Sequence, residues 1–209
     1  MAEQIMLYED FSKQELDDRL KWFSAPKRWQ LNQTEGQLVI YPAAQTDFWQ
    51  KTHYGFEVDN GHFLYYETNQ DFRLTTKLSG EPVNRYDQAG LMVRYSADNW
   101  IKTSVEFIPD QPNKLGAVVT RAGYSDWSSQ ADTGTATYQY FRITKQNTNY
   151  YIDYSRDGQN WQQIRMAYLP ANKQSAMIGV YACSPQGQGY QACFDFLKIE
   201  QVDQATIVY

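Results

Sequence analysis

Between Gly90 and Phe107 the chain reads GLMVRYSADNWIKTSVEF, and it alternates. One face carries Leu91, Val93, Tyr95, Ile101, Thr103, Val105 and Phe107, while the other carries Met92, Arg94, Trp100, Lys102, Ser104 and Glu106. A period of two is the signature of a strand with one face on a core. The same criterion predicts strands over 37–42, 63–68, 71–78, 89–95, 100–108, 115–121, 137–145, 149–155, 160–168, 176–183 and 190–201. Turn residues punctuate them in LSGEPVN, SADN, IPDQPNK, QNTN and SRDGQN, the last with an Asp157-Gly158 turn signal. A short helix is expected near Gln14–Trp22. No helical period separates the strands, so parallel βαβ crossovers are excluded and an antiparallel two-sheet sandwich or jelly roll remains. Residues 123–136, GYSDWSSQADTGTA, have no period and are expected to form a long surface loop.

With 209 residues the chain suffices for one well-buried domain, expected to span 1–209. Its net charge of −5 and the lack of a basic run argue against nucleic acid, which needs a concentrated cationic face. No stretch is long and apolar enough for a membrane-spanning helix. The opening MAEQIMLYEDF lacks a basic segment followed by an apolar one, so a cytoplasmic protein is expected. Cys183 and Cys193 flank SPQGQGYQA and are positioned to face each other across a ladder, yet a cytosolic setting favours two thiols. Aromatic residues make up 16%, with 17 Tyr against 10 Phe, which suits half-wet strands or a surface that stacks on a ligand.

Several stretches together resemble a known family. LYEDFSKQELDDRLKWFSAPKRWQL followed by LVIYP is similar to the opening of concanavalin A-like sandwiches, YYIDYSRDGQNWQQI to their Ser-x-Asp-Gly-x-x-Trp hairpin and CFDFLKIE to their closing strand. TDFWQKTHYGFEVDNGHFLY, YDQAGLMVRYSADNWIKTSVE, VVTRAGYSDWS and IGVYACSP resemble the single-domain concanavalin A-like family that includes the fungal regulator-of-enolase protein. The resemblance implies an all-β jelly roll with at most one or two short helices and a concave sheet face that holds carbohydrate. It implies no particular activity, because a fold does not fix a function.

Three stretches carry candidate chemistry. On the polar face of 90–107, Arg94, Lys102 and Glu106 form an array beside Trp100, which is expected to offer a platform to a sugar ring. Arg94 and Lys102 are like charges on one face, a costly arrangement that a ligand with oxygens would relieve. In DFWQKTHYGFEVDNGHF, Trp49 and His62 are read as lining a site, with His62 at its rim, and His53 as a loop residue satisfied by backbone. Their spacing is not that of a zinc site. In TRAGYSDWS, Arg121, Tyr124 and Trp127 combine a planar fork with aromatics, a means of recognising sugar hydroxyls or anions. Asp10 and Asp195 are weak candidates for a structural calcium ion, as the resemblance implies.

Absent motifs narrow the reaction. There is no Glu-x-Asp-x-Glu strand of the kind that supplies paired carboxylates in sandwich-fold glycosidases, nor a nucleophile elbow or phosphate loop. The expected function is therefore binding of a small polar ligand, a sugar or sugar derivative. The rivals are a regulatory protein-interaction domain, and a carbohydrate-active enzyme using Glu106 or His62 as base.

Overall fold

Alternating side chains give each strand an inside and an outside, and two antiparallel sheets close their insides together as a sandwich. The computed structural model describes residues 4–134, 138–171 and 174–203. The eight-stranded sheet runs β15 (Trp161–Tyr168), β14 (Asn149–Ser155), β13 (Tyr138–Gln146), β8 (Phe72–Glu81), β17 (Gln191–Gln201), β4 (Gln37–Tyr41) and β3 (Arg28–Asn32), with β1 (Gln4–Glu9) also paired to β17. The seven-stranded sheet runs β12 (Tyr124–Asp132), β11 (Asn113–Arg121), β10 (Asn99–Glu106), β9 (Gln88–Ser96), β16 (Ala176–Cys183), β7 (His62–Thr68) and β2 (Lys21–Phe23). A separate hairpin pairs β5 (Phe48–Gln50) with β6 (Glu57–Asp59).

Leu74, Leu78, Phe141, Ile143 and Ile199 from the first sheet meet Leu91, Val93, Ile101, Leu115, Ala117, Ile178 and Val180 from the second in the main core. Each such side chain contributes about 1.5–3 kcal/mol by leaving water. β8 alternates buried and half-buried along most of its length, the mark of a strand with one wet face. β9 and β10 do not: almost every residue of both is buried, so the centre of the seven-stranded sheet is covered on its outer face as well.

The cover is the β5–β6 hairpin. Its Phe48 and Trp49 pack with Phe63, Met92, Trp100, Val118, Tyr181 and Cys183 of the sheet in a second apolar cluster. The backbone oxygen of Asp47 accepts from the Asn60 and Gly61 amides, each at 3.1 Å, and closes the hairpin base. Gly61 is required there, since a Cβ would lie 2.3 Å from the Phe48 ring and 2.5 Å from Cys183 Sγ. Ser125 Oγ accepts from the Gln50 amide at 2.9 Å and ties the hairpin to β12.

Every strand expected from alternation is present, with ends shifted by a few residues at most. The helix near Gln14–Trp22 is not: that stretch is bends and turns leading into β2. Local polar bonds displace it, as the Asp17 amide donates to Glu9 Oε2 (2.9 Å) and Arg19 folds back onto Asp17 (2.7 Å). The expected loop 123–136 is mostly strand, because β12 pairs with β11 along its full length; residues 135 and 136 lie outside the described residues. Cys183 and Cys193 sit in opposite sheets, both buried and both free, so no ladder brings them face to face. Among the described residues no helix is long and apolar enough to cross a membrane.

Candidate functional site

The outer face of β9 and β10 is shared by two neighbours of different character. At one end it is sealed. Trp100 is fully buried in the second cluster, its indole nitrogen donating to Ala97 O at 3.0 Å. Arg94, opposite it in register, bonds Asp59 Oδ2 at 2.6 Å, with its guanidinium 4.3 Å from the Phe23 ring centroid. Trp100 is therefore no platform for a ligand and Arg94 no ligand-facing cation; the hairpin claims both, since its apolar underside and Asp59 are their nearest partners. Arg94 and Lys102 do not relieve their repulsion through a ligand either, because each has its own aspartate.

At the other end the face opens. Asp47, Trp49, Tyr54, Phe56, Tyr86, Gln88, Lys102, Glu106, Trp127, Pro185 and Gln186 line a hollow of about 240 Å³. Lys102 and Glu106 come from alternate outward positions of β10, and Gln88 lies directly across from Glu106 on β9. Lys102 is only 2% exposed and donates to Asp47 Oδ1 at 3.1 Å. Burial opposes its charge, but Asp47 and Glu106 outweigh that, and its pKa rises above the ordinary lysine value.

Glu106 is 8% exposed and has no hydrogen-bond donor among the described residues. Desolvation pushes its pKa up to about 7, against the pull of Lys102 and with help from the Asp47 charge. A carboxyl group at that value is half protonated near neutrality, able to donate or accept. Gln88 is held by its neighbours, its amide donating to Tyr86 O at 3.2 Å and accepting from the fully buried Tyr181 hydroxyl at 3.0 Å.

The aromatic wall comes from the hairpin turn at 51–56. Lys51 and His53 have positive φ (56° and 64°), as does Gly55 (75°), and the Gly55 amide bonds Lys51 O at 2.7 Å. Left-handed backbone at two non-glycine residues is costly and is held here by that bonding. It projects Tyr54 over the hollow, edge-on to Trp49 and stacked on Phe56 at ring distances of 5.7 and 5.4 Å. The Trp49 indole is pinned to Thr52 O at 2.9 Å. The opposite rim, Pro185 and Gln186, follows Ser184, whose hydroxyl bonds the buried Asp87 at 2.6 Å.

The remaining expected residues divide. Trp49, Lys102, Glu106 and Trp127 meet at the hollow. Tyr124 stands 61% exposed just outside it. Arg121 does not join them: it ends β11 facing the other way and lies 5.7 Å from the Tyr168 ring centroid. His62 is not at the rim. It is buried, Nε2 accepts from the Ala43 amide at 3.0 Å and Nδ1 donates to Ser24 O. Burial lowers its pKa, consistent with a neutral ring that fastens backbone. Asp195 is engaged by Lys77 (2.5 Å) and Gln37 (2.8 Å), and Asp10 accepts from Ser12. Among the described residues no three metal-binding side chains gather.

Asp47, Tyr54, Phe56, Tyr86 and Gln88 were not expected at the site. They arrive from three loops and one strand, and only Asp47 carries a sequence cue, as the acid preceding the apolar Phe48-Trp49 pair.

Residues 22–202 match the family described as Protein of unknown function (DUF1349). The chain belongs to this family. It is 35% identical over 173 residues to "Regulation of enolase protein 1" of Saccharomyces cerevisiae, covering 83% of this chain and 85% of that one. A crystal structure of a functionally unknown protein from Saccharomyces cerevisiae superposes with a TM-score of 0.80 at 32% identity, covering 88% of this chain and 97% of that one. A GH43 protein from Bacillus licheniformis superposes with a TM-score of 0.77 at 18% identity, covering 93% of this chain but 39% of its own. At that identity the likeness is one of fold.

Proposed function

We propose that residues 1–209 form a single binding domain whose hollow holds a neutral sugar or sugar derivative. The carrying observation is the unpartnered carboxyl of Glu106 facing the hollow beside Lys102, under a rim of aromatic rings. With no protein donor of its own, the Glu106 carboxyl is available to a ligand hydroxyl that donates to it while accepting from Lys102. Net charge on the ligand suits this less well, since an anion meets Glu106 and Asp47 and a cation meets Lys102. Trp49, Tyr54 and Trp127 supply faces for the apolar side of a pyranose. Two free, buried thiols support a cytosolic setting.

A second reading is supported by the same carboxyl. At a pKa of about 7 Glu106 suits proton transfer to or from the bound sugar, with Lys102 stabilising developing negative charge. A third, docking to a protein partner, is supported by the regulatory name of the 35% identical yeast relative.

Calorimetric titration with a panel of neutral monosaccharides, sugar acids and sugar phosphates tests the proposal. Binding of a neutral sugar that is lost in Glu106→Gln and Trp127→Ala, both still folded, is the expected result. A panel in which nothing binds, or in which binding survives both substitutions, overturns it. Turnover of the bound sugar that disappears in Glu106→Gln favours the second reading.

A further inference from the structure

The hollow has an outer annex. Trp49, Tyr54 and Trp127 line it on one side and, on the other, line a larger and more open cleft of about 600 Å³. That cleft continues past the turn at 51–56 to Tyr124 at the head of β12. Its walls differ from those of the hollow: the buried ion pair is absent and exposed rings dominate, with Tyr124 61% and Tyr54 51% exposed. Lys51 leans on the Tyr124 ring at 5.6 Å and spans from the turn to the strand. The two spaces are thus joined through three shared aromatics, the narrower with a polar floor, the other more open, rich in rings and edged by Thr52, His53 and Asp126.

From this we infer, building on the sugar-binding reading, that the ligand is a glycan of at least two units, its terminal ring seated against Glu106 and Lys102 and its second ring lying in the cleft against Tyr124. The inner space has room for one ring and no corridor through the sheet beneath it, where Met92, Trp100 and Val118 are packed. A chain therefore enters by its end. The buried polar pair reads hydroxyls of the terminal unit, whereas the cleft has no buried ion pair and meets the following unit chiefly with exposed rings, so it tolerates variation there.

Homologous series from one to four units, built on glucose, xylose, mannose, galactose and arabinose, provide the test by titration against the full chain. In the series that binds, affinity should rise about tenfold from one unit to two and change little thereafter. Tyr124→Ala, at an exposed position, should abolish that rise and leave monosaccharide affinity unchanged. Equal affinity for one and two units, or a rise that survives Tyr124→Ala, overturns the inference while leaving the sugar reading intact. Binding by no member of any series defeats both. Selective binding of internal rather than terminal units, seen as affinity that keeps growing with length, overturns the end-on arrangement.

Discussion

Lys102 and Glu106 occupy the same face of β10, yet only the lysine has a protein partner, Asp47 at 3.1 Å. The asymmetry makes one end of the array a fixed anchor and the other a free contact. It also gives the pair opposite responses to substitution.

Removing the anchor is destabilising. Lys102→Met leaves the Asp47 carboxylate against an apolar cluster with no counter-ion, at an expected cost of about 3–5 kcal/mol in urea unfolding. Changing Asp47 to Asn in the same chain should recover much of it, because the orphaned charge is then gone. A double variant as unstable as the sum of its singles would show that the pair is not coupled.

Removing the free contact is stabilising above neutrality. The folded pKa of Glu106, about 7, exceeds its ordinary value of 4.5, so the folded state holds the proton more tightly. Stability from this group is intact below about pH 4.5 and falls as pH rises to about 7, by roughly 3 kcal/mol. Glu106→Gln should melt close to wild type at pH 4.5 and clearly above it at pH 8. Melting curves whose separation does not widen with pH would refute this.

His62 acts in the opposite direction. Its folded pKa is depressed by burial below 6.5, so the unfolded chain takes up the proton first and stability falls as pH drops below about 6.5. Titration of the ring followed by NMR should give a midpoint under 6.5, and a midpoint at or above that value would contradict the assignment. His62→Gln should lower the melting temperature without altering sugar affinity.

Two tryptophans separate packing from recognition. Trp100→Ala empties a fully buried site and should cost about 3–5 kcal/mol. Trp127→Ala, half-buried at the rim, should cost much less stability while weakening the ligand. Similar losses of stability in both variants would merge the two roles.

How much of this was legible depends on the range of the interactions involved. Strands such as β8 and β13 declare themselves because alternation is local. The three-residue strands β5 and β6 fall below any periodic window, and β12 hides because its Ser, Asp and Gln residues look like loop until β11 pairs with them. Within the site, Lys102 and Glu106 were readable from the outward face of one strand. The same reasoning placed Trp100 and Arg94 beside them as ligand contacts, because nothing in their own strand reveals that a hairpin dozens of residues earlier returns to cover them. His62 misled for a related reason: its two backbone partners, Ser24 and Ala43, are far away in sequence.

The turn at 51–56 stands outside both sheets and yet forms one side of the hollow. Its length and ring content can therefore vary without disturbing any ladder bond of the frame. Relatives that share the buried Lys-Asp anchor but carry a different flap would keep the same polar floor while presenting different rings to the bound unit and to the one that follows it, so a swap of six residues is a route to new selectivity.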